Sequence, residues 1–345
     1  MSGKNALQLA LIGILSIGVI SCSSQPSLQQ LQETRSKLSV VKPLEGGGSK
    51  RKTRELLAAQ KNAQTFLLQA EHPAERKVAA DVLDRFNRQI EVQAQLPSES
   101  FIINGSPARK GQFPYQAALV LTGYTNAYDG QYCAGTLIDP QWVLTAGHCV
   151  LKSTQPGDIQ VVLDILKLSE VVPRYDIASV CRHPQYKVAG EHGENDLALL
   201  KLATAVQDLK PIAIPDGKVE SAALQFTRNG TISGWGQTGS ANRAKSDDLL
   251  FGTVSVMENR ECSTKYPAGQ ILDRMVCTTE KTTGTCRGDS GGPLIVRTKD
   301  GVEYLEGVTS WGDVKCALTP SVYARVPSYS EWIQSNIKSA PVCEQ

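Results

Sequence analysis

The sequence predicts an all-β domain over residues 102–345, preceded by a mostly helical segment. Beyond Pro97, short apolar runs of β-type residues alternate with turns that contain glycine and proline, a pattern typical of a barrel or a sandwich. The 29 glycines among the 345 residues also argue against an all-helical chain. Composition changes near residue 100, so we expect two modules that meet there. The clearest β-type runs are residues 116–121, 142–145, 197–202 and 292–297.

The segment before Pro97 is predicted to contain two amphipathic helices joined by a short turn. Pro73 separates a helical stretch at residues 56–69 from a second one. In the second stretch an apolar residue recurs at every fourth position, which places these side chains on one helix face. They are Val78, Val82, Phe86 and Ile90. We interpret this face as a packing surface, and the glycine-rich residues 46–49 before it as a flexible linker.

Charge and cysteine content restrict the class of protein. The net charge of +2 comes from 36 basic and 34 acidic residues, and this balance does not favour nucleic acid as a partner. Nine cysteines are typical of a protein that folds in an oxidising compartment. Because nine is an odd number, at least one cysteine must lie outside any intramolecular disulfide.

The N-terminus predicts export. An apolar stretch at residues 6–20 follows Lys4; it suits a signal peptide and is short for a membrane-spanning helix. The run Val-Ile-Ser-Cys ending at Cys22 resembles the lipobox of bacterial lipoproteins, which implies a signal peptide over residues 1–21 and lipidation of Cys22. The serine after Cys22 would then favour the outer membrane. The alternative is an ordinary signal peptide, cleaved after Ser24.

Three short segments contain a histidine, an aspartate and a serine suited to nucleophilic catalysis. His148 lies in Thr-Ala-Gly-His-Cys, Asp196 opens a β-type run, and Ser290 lies in the turn Gly-Asp-Ser-Gly-Gly-Pro. A serine hydroxyl is a weak nucleophile, so it needs a base; an imidazole can take its proton and later give it to the leaving group. An aspartate beside the imidazole fixes the ring tautomer and stabilises the charged form.

In this order the three motifs resemble those of the chymotrypsin-like (trypsin-fold) serine proteases. The resemblance runs from Ile102 almost to the C-terminus and includes Ser-Gly-Trp-Gly at 233–236 and Ser-Trp-Gly at 310–312. It implies two six-stranded antiparallel Greek-key barrels followed by a C-terminal helix. It also implies a serine endopeptidase that uses the three residues above as its triad. The backbone N–H groups of Gly288 and Ser290 would form the oxyanion hole.

The same resemblance implies that the enzyme is made as a precursor. Residues 102–105, Ile-Ile-Asn-Gly, are similar to the mature N-terminus of these proteases. Cleavage between Phe101 and Ile102 would create an α-amino group that pairs with Asp289 and orders the oxyanion turn. Residues 22–101 would then be a propeptide, and residues 102–345 the protease domain. The activator must accept an aromatic residue before the cut, and self-activation is compatible with this.

A specificity pocket without charge is also implied. The family places the residue six before the catalytic serine at the pocket floor, and here that residue is glycine, so specificity for Arg or Lys is not expected. We expect aliphatic or aromatic side chains before the cut. The pocket residues implied by the resemblance are Gly284, Thr285, Ser310, Trp311, Gly312 and Ser321.

The cysteines divide into four predicted disulfides and one remaining residue. The resemblance implies the pairs Cys133–Cys149, Cys262–Cys277 and Cys286–Cys316, and elimination then pairs Cys181 with Cys343. Cys22 remains, so no disulfide would join the propeptide to the protease domain. Cleavage would therefore release the enzyme from its lipid anchor, unless the helical segment holds it non-covalently.

The remaining expectations concern ligands and partners. We expect protein or peptide substrates, protein inhibitors as further partners, contact with a membrane only through the anchor, and a monomer. No cofactor, metal or calcium site is predicted. The alternative to an enzyme is an inactive, protease-shaped binding module, but such relatives lose a triad residue, and all three are present. An esterase with a nucleophile elbow would have the order Ser, Asp, His instead.

Overall fold

The computed structural model describes residues 26–41, 49–70, 72–95, 105–189, 192–236, 245–279, 283–312 and 319–338. The helices of this part of the chain are α1 (Leu28–Ser39), α2 (Ser49–Gln69), α3 (Pro73–Gln95), α4 (Ala127–Gly130), α5 (Gly217–Phe226), α6 (Asn259–Cys262) and α7 (Ser330–Lys338). The strands are β1 (Ser106–Pro107), β2 (Gln116–Leu121), β3 (Gln131–Asp139), β4 (Trp142–Thr145), β5 (Ile159–Leu163), β6 (Tyr175–Arg182), β7 (Lys187–Ala189), β8 (His192–Glu194), β9 (Ala198–Leu202), β10 (Asn229–Gly234), β11 (Leu250–Met257), β12 (Met275–Thr279), β13 (Pro293–Arg297), β14 (Glu303–Trp311) and β15 (Ser321–Arg325).

The first barrel closes in the order β2-β3-β4-β9-β6-β5, with every neighbouring pair antiparallel. Its strands are the apolar runs of the sequence, since residues of this kind pack well on a pleated surface that is buried. All six residues of β2 are buried, and the barrel interior holds Leu119, Leu137, Leu144 and Leu199 with no exposed surface. Closure leaves no free sheet edge in this barrel.

The second barrel is also a closed ring of six antiparallel strands. Its order is β11-β10-β13-β14-β15-β12, and pairing of β12 with β11 closes it, while β1 adds to β11 on the outside. Ile232, Val276, Leu294 and Tyr323 form its core. Helix α7 follows β15 and buries Ile333. The predicted fold, two six-stranded antiparallel barrels with a C-terminal helix after a helical segment, is therefore confirmed.

The helical segment contains the predicted pair of helices. Pro73 is the first residue of α3, a position where its missing N–H costs no hydrogen bond. Helix α2 packs along α3, and Gln60 Nε2 donates to Asn87 Oδ1 at 2.7 Å. Of the predicted apolar face, Val82 and Phe86 are almost completely buried. None of the helices among the described residues is both long and apolar enough for a membrane crossing.

Two disulfides link described cysteines: Cys133 to Cys149 in the first barrel and Cys262 to Cys277 in the second. Cys181 and Cys286 are disulfide-bonded as well. The cysteines that the sequence assigned to them, Cys343 and Cys316, lie outside the described residues. So do Cys22 and the whole predicted signal peptide.

Candidate active site

His148, Asp196 and Ser290 come from loops of both barrels. His148 lies in a single 3-10 turn, Gly147–Cys149, which directly follows β4. Asp196 precedes β9, also in the first barrel, whereas Ser290 lies in the turn before β13 of the second. The N–H of Ala134 on β3 donates to the carbonyl oxygen of Ser290 at 2.8 Å, so the serine turn is tied to the first barrel.

The imidazole of His148 is held by the carboxylate of Asp196. Nδ1 of His148 lies 2.7 Å from Oδ2 of Asp196, and the backbone N–H of His148 donates to Oδ1 at 2.8 Å. Burial by itself would raise the pKa of Asp196, but the nearby charge of His148 and the hydrogen bonds from His148 outweigh it and lower this pKa. The carboxylate is thus ionised and can only accept, so Nδ1 carries the proton and Nε2 of a neutral ring is free to accept one.

Nε2 of His148 is buried and has no hydrogen-bond partner within the described part of the chain. The Sγ atom of Cys149 lies within 4.8 Å of a ring nitrogen of His148 and 3.6 Å from the carbonyl oxygen of Ser290. These distances bring the histidine and the serine to the same small region. Ser290 itself is 6% exposed there. The arrangement therefore places the imidazole of His148 close to the turn that carries Ser290.

The sequence did not indicate the hydrogen bond from Ser310 to Asp196. Ser310 was expected to line the specificity pocket, but its Oγ atom donates to Oδ2 of Asp196 at 2.5 Å. This hydrogen bond also lowers the pKa of Asp196. The Ser-Trp-Gly motif identified the position, although nothing in it distinguishes a wall of the pocket from a donor to the aspartate.

The turn before Ser290 has a backbone that favours glycine. Gly288 has a φ of +97°, in the left-handed region that side chains rarely adopt. Its carbonyl oxygen accepts a hydrogen bond from Nε2 of Gln131 at 2.8 Å, and the same amide group donates to the carbonyl of Cys133 at 3.1 Å. Gln131, which the sequence did not single out, thus fixes the turn to β3.

Asp289 is completely buried. Its carboxylate accepts the N–H of Gly236 at 2.9 Å and that of Cys286 at 3.0 Å. Burial raises its pKa to about 7, although these two N–H groups partly lower it. A Cβ at Gly234 or Gly236 would lie 2.0 or 2.4 Å from a carboxylate oxygen, so both glycines permit this close approach. The predicted cleavage site, Phe101 and Ile102, lies outside the described residues.

The predicted pocket residues lie together beside the serine turn. The hydroxyls of Thr285 and Ser321 are 3.0 Å apart and both residues are buried, as is Gly284. The ring of Trp311 packs edge-on against Tyr266 with 5.0 Å between centroids. A Cβ at Gly312 would have its nearest neighbour at 3.6 Å, so space remains beside this glycine. None of the six predicted pocket residues is charged.

One group of potential metal ligands lies near the site within the described ranges: Cys133, His148 and Cys149. The two cysteines form a disulfide with each other, so they offer no thiolate to a metal ion. This group is therefore not suited to hold a metal ion.

Comparisons with known proteins show the family of this chain. Residues 102–333 match the family model described as Trypsin. Trypsin II-P29 of Gallus gallus is 35% identical over 243 residues, which cover 68% of this chain and 89% of the relative. Glandular kallikrein-10 of Rattus norvegicus is 34% identical over 271 residues, which cover 72% of this chain and 95% of the relative. Members of this family hydrolyse peptide bonds, so the substrates of this chain are proteins and peptides. The chain therefore belongs to the trypsin family and is a serine endopeptidase.

Proposed function

We propose that the chain hydrolyses peptide bonds with His148, Asp196 and Ser290 as its catalytic triad. The observation that carries this is the pairing of His148 Nδ1 with Asp196 Oδ2 at 2.7 Å. Nε2 then takes the proton of Ser290 as Oγ attacks the scissile carbonyl, and gives it to the leaving amine when the C–N bond breaks. Water, deprotonated by the same nitrogen, cleaves the acyl-enzyme and regenerates the serine.

The oxyanion hole in this proposal consists of the backbone N–H groups of Gly288 and Ser290. Negative charge develops on the carbonyl oxygen during attack, and donors that are already oriented stabilise it without reorganisation. The left-handed φ of Gly288 and the hydrogen bond from Gln131 to its carbonyl group support a fixed turn at this position. Losing one such donor typically costs about 3 kcal/mol of transition-state stabilisation.

We also propose that residues 22–101 are a propeptide and that cleavage between Phe101 and Ile102 activates the enzyme. Asp289 supports this, because its buried carboxylate lies in the turn that carries Ser290 and has a pKa raised to about 7. A new α-amino group at Ile102 would provide the positive charge that such a carboxylate needs. N-terminal sequencing of the active enzyme tests the cleavage site; a mature form that begins elsewhere contradicts it.

Export and anchoring complete the proposal. Residues 1–21 act as a bacterial lipoprotein signal, Cys22 carries the lipid, and the precursor is held at the outer membrane. The disulfides of the described cysteines support folding in an oxidising compartment. Labelling with a radioactive fatty acid tests lipidation: label on the wild type and none on Cys22→Ala is expected.

The uncharged pocket supports a preference for aliphatic or aromatic side chains before the cut. Peptides that differ only in this residue, bearing Phe, Leu, Val, Ala or Arg, measure the preference through kcat/KM. We expect Phe or Leu to be fastest and Arg to be slow, and the variant Gly284→Asp to raise the value for Arg. Fastest cleavage after Arg by the wild type would contradict this pocket. Rapid cleavage after Phe is also the condition for self-activation at Phe101.

A further inference from the structure

The helical segment and the first barrel share an interface that does not depend on the residues connecting them. Helices α1 to α3 end at residue 95, and the described part of the protease domain begins at residue 105. On the side of the helical segment, the contacts lie just after α1 and in the second half of α3. On the other side they lie in two loops of the first barrel, which precede and follow the histidine turn. Cleavage in the connection would leave every one of these contacts intact.

A partly buried ion pair joins the two sides of this interface. Nε and Nη2 of Arg88 donate to the two carboxylate oxygens of Asp158 at 2.8 and 3.1 Å. The side chain of Asp158 is 2% exposed and that of Arg88 is 24% exposed. A bidentate contact of this kind is charge-assisted and requires a defined orientation of both side chains. It lies at the end of the loop that follows the disulfide-bonded Cys149.

Gln89 adds two hydrogen bonds next to this ion pair. Its side-chain amide is completely buried and donates to the carbonyl oxygens of Thr122 at 3.1 Å and Asp158 at 2.8 Å. At the edge, Oγ of Ser153 donates to Glu91 at 3.1 Å. Three residues of α3 therefore bind backbone and side-chain groups of the barrel loops, as is typical of a specific interface.

Val41, two residues beyond the end of α1, supplies an apolar contact and a backbone hydrogen bond. The N–H of Val41 donates to the carbonyl oxygen of Gly123 at 3.1 Å, and Val41 has no exposed surface. Val41 and Phe86 belong to the same continuous apolar cluster as Leu119 and Tyr124 of the first barrel. Burial of apolar surface is the main driving force for association of this kind.

We infer that the helical segment is a bound subunit of the mature enzyme, because it stays on the first barrel after cleavage. A lipid on Cys22 would therefore hold the cleaved protease at the membrane through this segment. This inference rests on the proposed cleavage at Phe101–Ile102. Residues 26–95 contain no cysteine, so the association is non-covalent. Of the two outcomes left open by the sequence, retention rather than release of the protease domain follows from these contacts.

To test this, the folded precursor is cleaved by an added protease, so that cleavage does not depend on the activity of the precursor itself. The Ser290→Ala precursor, with residues 97–101 replaced by the recognition sequence of a site-specific protease, is cleaved completely and run on a gel-filtration column at about ten micromolar. We expect the two fragments to elute together and to separate only in denaturant. Separate elution without denaturant would overturn the inference. The natural cleavage site and the triad are not involved, so failure of either leaves this test interpretable.

Substitutions of Arg88 test how far the association of the two fragments depends on its ion pair with Asp158. In the cleaved precursor, replacing Arg88 by Ala should raise the dissociation constant of the two fragments at least tenfold, and Arg88→Lys, which keeps the charge without the bidentate contact, should have an intermediate effect. Lys77→Ala, at an exposed position of the same helix, is the matched control and should leave binding unchanged. Equal affinities of Arg88→Ala and Lys77→Ala would overturn the assignment. Because all variants are on the helical fragment, the protease fragment is identical in every measurement.

Discussion

The hydroxyl of Ser310 on β14 lies 2.5 Å from Oδ2 of Asp196, the same carboxylate oxygen that lies 2.7 Å from Nδ1 of His148. One oxygen atom thus accepts from the second barrel and from the histidine of the first. The other oxygen, Oδ1, accepts the backbone N–H of His148. These three donors orient the carboxylate and lower its pKa against the effect of burial.

Removing the hydroxyl of Ser310 tests whether it positions Asp196. In Ser310→Ala the carboxylate loses one charge-assisted hydrogen bond, which is worth about 1.5–3 kcal/mol, so kcat should fall about 10- to 100-fold. KM should change little, because the lost hydrogen bond acts on the carboxylate of Asp196. Ser255→Ala, at an exposed position of β11, is the control. A kcat within twofold of the wild type would show that Ser310 is dispensable.

Asp196→Asn tests the tautomer of His148. The asparagine amide can donate to Nδ1, which would leave the proton on Nε2 and remove the base that Ser290 needs. We expect kcat to fall by about four orders of magnitude while the protein stays folded. Asp176→Asn changes an exposed carboxylate of the same barrel and should retain full activity. Comparable losses in the two variants would contradict the proposed role.

Because Gly236 lies so close to Asp289, a substitution at Gly236 should lower activity while the triad residues stay unchanged. A methyl group in Gly236→Ala would lie 2.4 Å from the carboxylate and must displace it. We expect kcat/KM of the cleaved form to fall at least a hundredfold, or about 2.7 kcal/mol, because the oxyanion turn loses its support. Gly217→Ala, where a Cβ meets nothing within 4 Å, is the control. Wild-type activity of Gly236→Ala would rule out this role of Asp289.

The raised pKa of Glu306 predicts that the folded protein loses stability at alkaline pH. Burial, followed by the negative charge of Glu220, raises its pKa to about 9 from the ordinary 4.5, while Arg325 partly opposes this. The folded protein therefore binds the proton more tightly than the unfolded chain does. The stabilisation from neutral Glu306 is complete below pH 4.5 and is lost as the pH rises toward 9.

Urea unfolding measures this dependence of stability on pH. The protein carries Ser290→Ala, because this substitution prevents self-digestion. The free energy of unfolding should fall more steeply from about pH 5 to 9 with Glu306 than with Glu306→Gln, because the amide does not ionise. Glu261→Gln, at an exposed position on α6, should leave the slope unchanged. Equal slopes with and without Glu306 would contradict the raised pKa.

The sequence predicted the barrels and the residues of the candidate triad because each depends on short, local patterns. His148, Asp196 and Ser290 all lie in compact motifs next to apolar runs, and closure of the barrels follows from the family that these motifs resemble. The hydrogen bond of Ser310 depends instead on the orientation of a single hydroxyl toward a loop 114 residues away. No pattern of neighbouring residues records such an orientation.

The helical segment shows the same limit. The spacing of Val82 and Phe86 predicted a packing face, but it did not predict which surface covers this face. The contact between Arg88 and Asp158 joins residues 70 positions apart, and each residue alone reads as an ordinary surface charge. Long-range pairs of this type become visible only when the fold brings the two loops together.

The most direct test of the account is labelling of Ser290 by a fluorophosphonate, which reacts with a serine only when a base activates it. Intact-mass and peptide analysis of the cleaved enzyme should find one adduct per chain, on the peptide that contains Ser290. Labelling should be absent in Ser290→Ala and strongly reduced in His148→Ala. No adduct on the correctly folded wild type, or an adduct on a different residue, would contradict the proposed catalytic triad.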